Sequence, residues 1–222
     1  MLRIFSVGAV PRLSWSSAEP LELRPAPVTL ASLFFGLILF GLGEALLIAA
    51  HLGVSPWTVL AQGLVVQFGG TIGLATFIVS VLVLVLWLPL RQKPGIGTVL
   101  NAVIIAAVID LSLPVLPSPE SFPGQMLQVV VGVLLVGLGS GFYLTANLGP
   151  GPRDGLMTGL QRLLRWPIAS IRIGIEITVV TLGWSLGGTV GLGTLIFALG
   201  VGPAVALGIL MVERVSEFVE AS

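Results

Sequence analysis

The sequence predicts an all-α membrane protein in which six transmembrane helices form two inverted three-helix repeats, each with a Gly/Pro-broken loop and a short helix. Three observations lead to this prediction. The 222 residues are 55% hydrophobic and 9% charged, whereas a soluble domain has about 25% charged residues. The mean hydropathy is +1.09. One stretch of the chain occurs twice, and the basic residues are concentrated in alternate loops.

The repeat relates residues 41–64, GLGEALLIAAHLGVSPWTVLAQGL, to residues 137–160, GLGSGFYLTANLGPGPRDGLMTGL, at an offset of 96 without a gap. Ten of the 24 positions are identical, whereas chance predicts two or three, on the order of one in ten. At the same offset, GIGTVLNA at 95–102 matches GLGTLIFA at 191–198. Each repeat therefore contains a helix, a broken loop with a short helix, a second helix, a Gly-x-Gly-Thr turn and a third helix.

Six segments are long and apolar enough to be spanning helices, which need about 20 mostly apolar residues. In order, they are 28–50, 71–90, 95–113, 127–148, 168–187 and 191–212. Glycines, prolines and the RQKPG turn separate them. The predicted organisation is an N-terminal tail 1–27, a first repeat 28–113, a second repeat 127–212 and a C-terminal tail 213–222.

The basic residues indicate the orientation, because Lys and Arg collect in cytoplasmic loops. Loops 51–70, 114–126 and 188–190 contain none, and Arg172 lies just inside the fifth helix. The other nine basic residues lie in the remaining loops and tails: Arg3, Arg12, Arg24, Arg91, Lys93, Arg153, Arg162, Arg165 and Arg214. Both termini are therefore predicted to be cytoplasmic, with an irregular N-terminal tail. Because three crossings per repeat is an odd number, the second repeat is inverted relative to the first.

Composition also excludes several classes of function. The chain has no Cys and one His, His51, so neither thiolate chemistry nor a multi-His metal site is expected. Ten acidic and ten basic residues balance, which argues against a nucleic-acid partner. No Walker sequence or Ser-His-Asp arrangement occurs, so no enzyme, catalytic residue, metal or cofactor is predicted.

Polar residues inside apolar helices are costly and often mark a site. Glu44, Asn101 and Glu176 are predicted to face a site between the repeats. Each has an alternative: Glu44 is compatible with a hydrogen bond that only supports packing, and Glu176 lies four residues from Arg172, so these two side chains can neutralise each other. Stripes of small residues in helices one and four are expected to serve close helix packing.

The two broken loops are the other candidate site, because unwound backbone in a membrane is tolerated where protein buries it or where it lines a wet cavity. The predicted structural breaks are Gly53, Pro56, Gly149, Gly151 and Pro152. Short helices are predicted at 56–67 and 152–165, and a helix N-terminus attracts anions.

Five residues that the repeats do not share are assigned to substrate binding: Glu44, His51, Trp57, Arg153 and Asp154. Asp154 is equally explained as a helix cap, and Arg153 and Trp57 as anchors at the lipid headgroups.

The chain resembles the YczE/YyaS/YitT group of bacterial integral membrane proteins, closest to the YczE branch. The resemblance covers about residues 28–212 and depends on LGVSPW at 52–57, GIGT at 95–98 and LGPGPRDGLM at 148–157. It implies a multi-pass protein of the bacterial cell membrane and does not indicate a substrate. In that group an Asp often follows the Pro-Trp pair, whereas this chain has Thr58, so only Asp154 remains of a matched pair of acids.

The leading hypothesis is a transporter-like or flippase-like protein that carries a small or amphipathic substrate by alternating access of its two repeats. Glu44 is the expected proton-coupling group. One alternative is a membrane partner or regulator of a biosynthetic or secretion enzyme, docked through Arg153, Arg162 and Arg165. Another is the substrate-capture subunit of a larger transporter. The lipid bilayer is the expected environment, and a chain of this size is compatible with homodimerisation.

Overall fold

Eight α-helices make up the part of the chain that the computed structural model describes, residues 10–221 with side chains to Phe218. No strand occurs in that range. Residues 1–9 of the predicted tail, with Arg3, and Ser222 lie outside it. The helices are α1 (Pro27–Ala49), α2 (Pro56–Phe68), α3 (Ile72–Leu86), α4 (Ile96–Ser112), α5 (Phe122–Thr145), α6 (Pro152–Leu164), α7 (Ile168–Ser185) and α8 (Leu192–Ala221).

The secondary structure repeats with the same offset as the sequence. Helices α2, α3 and α4 begin 96 residues before α6, α7 and α8 respectively. Both short helices start at a proline, whose fixed φ and missing N–H suit the first helical position. The turn before each repeats too: Gly53 has a φ of 100° and Gly149 a φ of 104°, a conformation that favours glycine.

Four helices are long and apolar enough to cross a membrane: α1, α5, α7 and α8. Helices α2 and α3 together pass the same test, but they are bent by 112° at their junction. Helix α3 has 15 residues, or about 23 Å at 1.5 Å per residue, which is shorter than the roughly 30 Å of hydrocarbon core. Helix α4 has 17 residues. A helix occupies each of the six predicted segments, but the count of six crossings stays a prediction.

The helices of the second half extend beyond their predicted ends. Helix α5 starts five residues before position 127, since a proline at its second position is tolerated in a first turn. Helix α8 continues nine residues past 212 to Ala221. An ion pair one turn apart, Arg214 to Glu217 at 3.7 Å, stabilises this extension. Most of the expected C-terminal tail is therefore helical.

The N-terminal segment before α1 has no helix in its described part, but it packs against the protein. The Ser17 N–H donates to the Ala146 carbonyl at 3.1 Å. The Asn147 side-chain amide donates to the Ser17 carbonyl at 2.8 Å. The segment therefore covers the C-terminal end of α5.

Helices α1 and α5 cross at glycines. A Cβ at Gly36 would lie 2.7 Å from the carbonyl oxygen of Gly139, and a Cβ at Gly43 would lie 2.6 Å from that of Gly132. Gly36 and Gly132 are equivalent positions of the two halves, 96 residues apart, and so are Gly43 and Gly139. Replacing each glycine of one pair by its equivalent therefore gives the other pair. The contact is therefore reciprocal between the halves, and only glycine permits such a close approach.

Each broken loop is bound to the Gly-x-Gly-Thr turn of the other half. The Gly97 N–H donates to the Leu148 carbonyl at 2.8 Å, and the Gly193 N–H donates to the Leu52 carbonyl at 2.7 Å. A Cβ at Gly193 would lie 2.4 Å from the Gly53 carbonyl oxygen. The Gly-x-Gly-Thr motif, predicted only as a turn, therefore connects the two halves.

Thr98→Val is expected to lower the free energy of unfolding by roughly 1–3 kcal/mol, the cost of leaving buried polar groups unpaired. The buried Thr98 hydroxyl donates to the Pro150 carbonyl at 2.7 Å and accepts from the Gly95 N–H at 3.1 Å. Thr194, its equivalent, shows only the second bond among the described residues, from Gly191 at 3.2 Å. Thr194→Val is the matched control, and thermal unfolding in detergent should rank it closer to wild type. Equal losses would contradict the assigned role of the Pro150 bond.

Candidate functional site

A cavity of about 210 Å³ lies between the two halves of the chain. Its walls come from helices of both halves, and six pairs of positions that are 96 residues apart line it. These pairs are Phe40 and Val136, Trp57 and Arg153, Thr76 and Arg172, Ser80 and Glu176, Asn101 and Phe197, and Ile105 and Val201. The cavity therefore lies between the two repeats and is lined by equivalent positions of both, as expected for a site formed by duplicated halves.

The paired positions carry different chemistry in the two halves. Thr76 and Ser80 of α3 are uncharged, whereas their equivalents in α7, Arg172 and Glu176, form an ion pair with 2.9 Å between Nε and Oε1. The two halves thus share the frame of the cavity and differ in charge, and the charged residues that line it come from the second half.

Glu44 is fully buried beside this cavity. Its Oε2 accepts hydrogen bonds from Ser55 Oγ at 2.7 Å and from Thr58 Oγ1 at 2.8 Å, and both donors are fully buried. Its Oε1 has no hydrogen-bond partner among the described residues and lies 4.0 Å from Arg153 Nη1. One oxygen is thus held by the first broken loop, and the other faces a cation of the second half.

Arg153 and Trp57 are equivalent positions of the two repeats, and they contact each other. The guanidinium carbon of Arg153 lies 5.2 Å from the centre of the Trp57 ring, within the range of a cation–π interaction. Each is the second residue of its short helix. Equivalent residues of the two repeats therefore meet at this point of the cavity wall.

Asp154 points into the same cavity and accepts a hydrogen bond from the Tyr143 hydroxyl at 2.5 Å. Its equivalent is Thr58, and the equivalent of Glu44 is Ser140, which also lines the cavity. Each half therefore supplies one acid and one hydroxyl at these two positions, but in opposite order. Two acids, Glu44 and Asp154, therefore lie at this site, although Thr58 follows Pro-Trp in the first loop.

Most of the predicted binding residues are brought together. Trp57, Asn101, Arg153, Asp154 and Glu176 line the cavity. Glu44 reaches it through its contact with Arg153.

His51 is not brought to this site. It is exposed, outside the cavity lining, at a φ of 55°. That conformation is several-fold enriched in His and Asn, and the equivalent Asn147 has a φ of 54°.

The predicted loop breaks have separate roles. Gly53 and Gly149 supply left-handed turns, and Pro56 and Pro152 begin α2 and α6. Gly151 precedes α6, and a Cβ there would lie 3.1 Å from Asp154 Oδ2. The loop of the second half is therefore kept free of side chains where it meets the cavity.

The three arginines proposed for docking do not all lie on the surface. Arg162 and Arg165 are exposed, whereas Arg153 lines the cavity. A docking role for the two exposed arginines stays a prediction. Among residues 10–221, no three His, Cys, Asp or Glu side chains converge in a way that could hold a metal ion.

Sequence reasoning did not assign Ser55 and Tyr143. Ser55 immediately precedes the helix that starts at Pro56. Tyr143 is the single tyrosine of the chain, and it lies 11 residues from Asp154 across the helix break. It lies alone as a tyrosine in an apolar helix, and this was the signal by which the sequence could have indicated it.

Comparison with known proteins places the chain among membrane proteins. The family model described as "Family of unknown function (DUF6198)" matches residues 28–209. A Haemophilus influenzae protein described as uncharacterized is 38% identical over 208 residues, covering 94% of both chains. The uncharacterized membrane protein YczE of Bacillus subtilis is 36% identical over 168 residues, covering 75% of this chain and 78% of YczE.

A second Bacillus subtilis protein, the uncharacterized protein YyaS, is 30% identical over 165 residues, covering 72% of this chain and 82% of YyaS. No solved structure matches the chain. The resemblance to the YczE group is thereby confirmed. Together with the apolar helices, the similarity to YczE supports an integral membrane protein.

Proposed function

The chain belongs to the family of unknown function DUF6198, and we propose that it carries a small molecule across the bacterial cell membrane by alternating access. The observation that carries this proposal is the cavity whose walls are equivalent positions of two repeats. In secondary transporters, substrate sites lie at the interface between inverted repeats, beside helices that are broken. This cavity lies between two repeats and beside two helix breaks, which supports the proposal.

The reciprocal contacts support a two-fold relation between the halves. At the α1–α5 crossing, one glycine pair consists of the positions equivalent, at the 96-residue offset, to those of the other pair. The same is true of the two hydrogen bonds between the broken loops and the Gly-x-Gly-Thr turns. From these contacts and the distribution of basic residues, we infer six crossings in two inverted repeats with both termini in the cytoplasm. On that arrangement the first loop faces outside and the second faces inside.

The two loops differ in a way that suggests a closed gate and an open one. Gly53, Val54 and Ser55 of the first loop are buried, and Ser55 is tied to Glu44. Gly149 and Pro150 of the second loop are partly exposed, and Gly151 lines the cavity. We infer an inward-facing state in which the Glu44 cluster closes the outer side.

The cavity volume favours a small substrate over a whole lipid. About 210 Å³ is below the ~300–1,000 Å³ of pockets that hold drug-sized ligands. A flippase would need to hold at least a headgroup together with its acyl attachment. Transport of a small molecule is therefore the better interpretation of the predicted transporter-like or flippase-like activity.

Cysteine accessibility tests this proposal without knowledge of the substrate. The chain contains no Cys, so a single Ser140→Cys substitution supplies one reactive group in the cavity. We expect a membrane-impermeant maleimide to label it from either side of the membrane, in vesicles of both orientations, because alternating access exposes the cavity to each side in turn.

Ala45→Cys is the matched control, since Ala45 is fully buried and lies outside the cavity lining. It should be labelled from neither side. Labelling of Ser140→Cys from one side only, under conditions in which the vesicles remain sealed, would overturn alternating access.

A further inference from the structure

Arg153 has unused hydrogen-bonding capacity inside the cavity. Its side chain is 24% exposed and lines the cavity wall. Among the described residues, its guanidinium makes no hydrogen bond, and it lies over the face of Trp57 and 4.0 Å from Glu44 Oε1. That distance is too long for a hydrogen bond. A guanidinium offers five N–H donors in a planar fork that matches a carboxylate.

The other cation of the cavity lining, Arg172, is bound to Glu176. Asp154 accepts a hydrogen bond from Tyr143, which leaves its charge in place, and it attracts Arg153 without a hydrogen bond to it. Among the described residues, Arg153 is therefore the cation of the cavity lining whose N–H donors have no acceptor. One guanidinium fork matches one carboxylate, and a second charge on the same ligand would be buried without a partner, which is costly.

The remaining walls are suited to an apolar group. Phe40, Ile105, Val136, Phe197 and Val201 line the cavity from α1, α4, α5 and α8. At ~30 Å³ for each water, the volume corresponds to about seven water molecules. This space accommodates a small ring or a short chain attached to the charged group.

Glu44 supplies an independent second observation. It is a fully buried carboxylate, and its Oε1 is unpartnered and faces Arg153. When an anion binds Arg153, Glu44 loses the nearest cation, and a buried carboxylate without a cation is strongly unfavourable. Taking up one proton from the aqueous phase removes that charge, and Oε2 still accepts from Ser55 and Thr58.

We propose that the substrate is a small monocarboxylate with an apolar body, that it binds through the guanidinium of Arg153, and that Glu44 is protonated as it binds. This proposal rests on the proposed transport function and gives it a substrate class. One anion and one proton enter together, so the net charge of the site is unchanged. Besides Arg153, the ionisable groups that line the cavity are Asp154 from α6, Tyr143 from α5, and Arg172 and Glu176 from α7, while the described side chains of α4 and α8 contribute none.

Calorimetric titration of the purified full-length protein in detergent with sodium benzoate tests the proposal. Benzoate supplies one carboxylate on an apolar ring. Benzamide is the neutral isostere, phthalate adds a second carboxylate, and inorganic phosphate lacks the apolar body. We expect benzoate to bind and the other three to bind at least about tenfold more weakly, the effect of losing a charge-assisted bidentate interaction. Benzamide binding as tightly as benzoate, or a preference for phthalate or phosphate, would overturn the substrate class.

Two variants test the assigned residues. Arg153→Lys keeps the charge but removes the fork, and we expect binding to weaken about tenfold. Arg162→Lys, on the exposed side of the same helix, should bind as wild type does. Titrations in two buffers of different ionisation enthalpy should show about one proton taken up per benzoate by wild type, as the charge exchange requires, and none by Glu44→Gln. Unchanged proton uptake by Glu44→Gln would overturn the role of Glu44.

The binding measurement requires no transport. Absent benzoate binding with two-sided labelling of Ser140→Cys would reject the substrate class and retain alternating access. Benzoate binding with one-sided labelling would retain the anion site and reject transport. If Arg153→Lys does not fold, the comparison of benzoate with benzamide on wild type still decides the question.

Discussion

Gly43→Ala is expected to destabilise the protein, whereas Gly174→Ala is expected to leave it as stable as wild type or more so. Both changes add one methyl group to a helical glycine. At Gly43 the new Cβ would lie 2.6 Å from the carbonyl oxygen of Gly132 and 2.8 Å from Val136, so α1 and α5 must move apart. Overpacking of this kind typically costs 1–3 kcal/mol, approximately. At Gly174 no atom lies within 4 Å of the added carbon, and alanine favours a helix by roughly 0.5–1 kcal/mol.

Thermal unfolding of wild type and both variants in the same detergent measures this difference. The expected order of midpoints is Gly43→Ala lowest and Gly174→Ala highest. Because the two substitutions are chemically identical, composition and helix propensity cannot explain opposite signs. A Gly43→Ala protein as stable as wild type would show that the α1–α5 crossing is looser than described.

Glu44→Ala is expected to be much more destabilising than Glu44→Gln. Alanine removes the acceptor of two buried hydroxyls and leaves a cavity in place of a fully buried side chain. Large-to-small changes in a core cost roughly 2–5 kcal/mol. Glutamine keeps the volume and an oxygen that can accept from Ser55 and Thr58, and the partly exposed Arg153 loses only a contact at 4.0 Å.

The measurement is the unfolding midpoint of Glu44→Ala, Glu44→Gln, Thr58→Val and the Glu44→Ala/Thr58→Val double variant. Because Thr58 donates to Glu44 at 2.8 Å, the double variant should lose less than the two single losses added together. Additive losses would mean that the hydroxyl does not stabilise the carboxylate. A stable Glu44→Gln protein then makes a suitable variant for testing proton coupling, since any lost pH dependence cannot be attributed to unfolding.

Local signals predicted the helices well. Pro56 and Pro152 placed the starts of α2 and α6, and Gly53 and Gly149 placed the breaks before them, because these residues act through their own backbone angles. The ends of α5 and α8 were less well predicted, since Pro123 is tolerated in a first turn and no residue near 212 forbids a helix. Because α3 and α4 are short for helices that cross a membrane, the number of six crossings stays a prediction.

The sequence predicted most residues of the candidate site, but it did not predict the contacts between them. Glu44 was selected as a polar residue inside an apolar helix, and Trp57 and Arg153 as residues beside the helix breaks that the repeats do not share. The pairing of Trp57 with Arg153 was not predictable, because a contact between equivalent residues depends on how the two halves pack. His51 was selected because the repeats do not share it, and its backbone conformation accounts for its presence.

The sequence by itself determined the membrane setting, the duplication and the positions at which the helices break, because each depends on composition or on a residue's own conformational limits. Only the tertiary structure decided that each broken loop docks on the other half's Gly-x-Gly-Thr turn, and that Glu44 shares a site with Arg153. These contacts join residues about 50 to 140 positions apart. They are set by how closely glycine-lined helices approach, and periodicity along one helix carries no information about that distance.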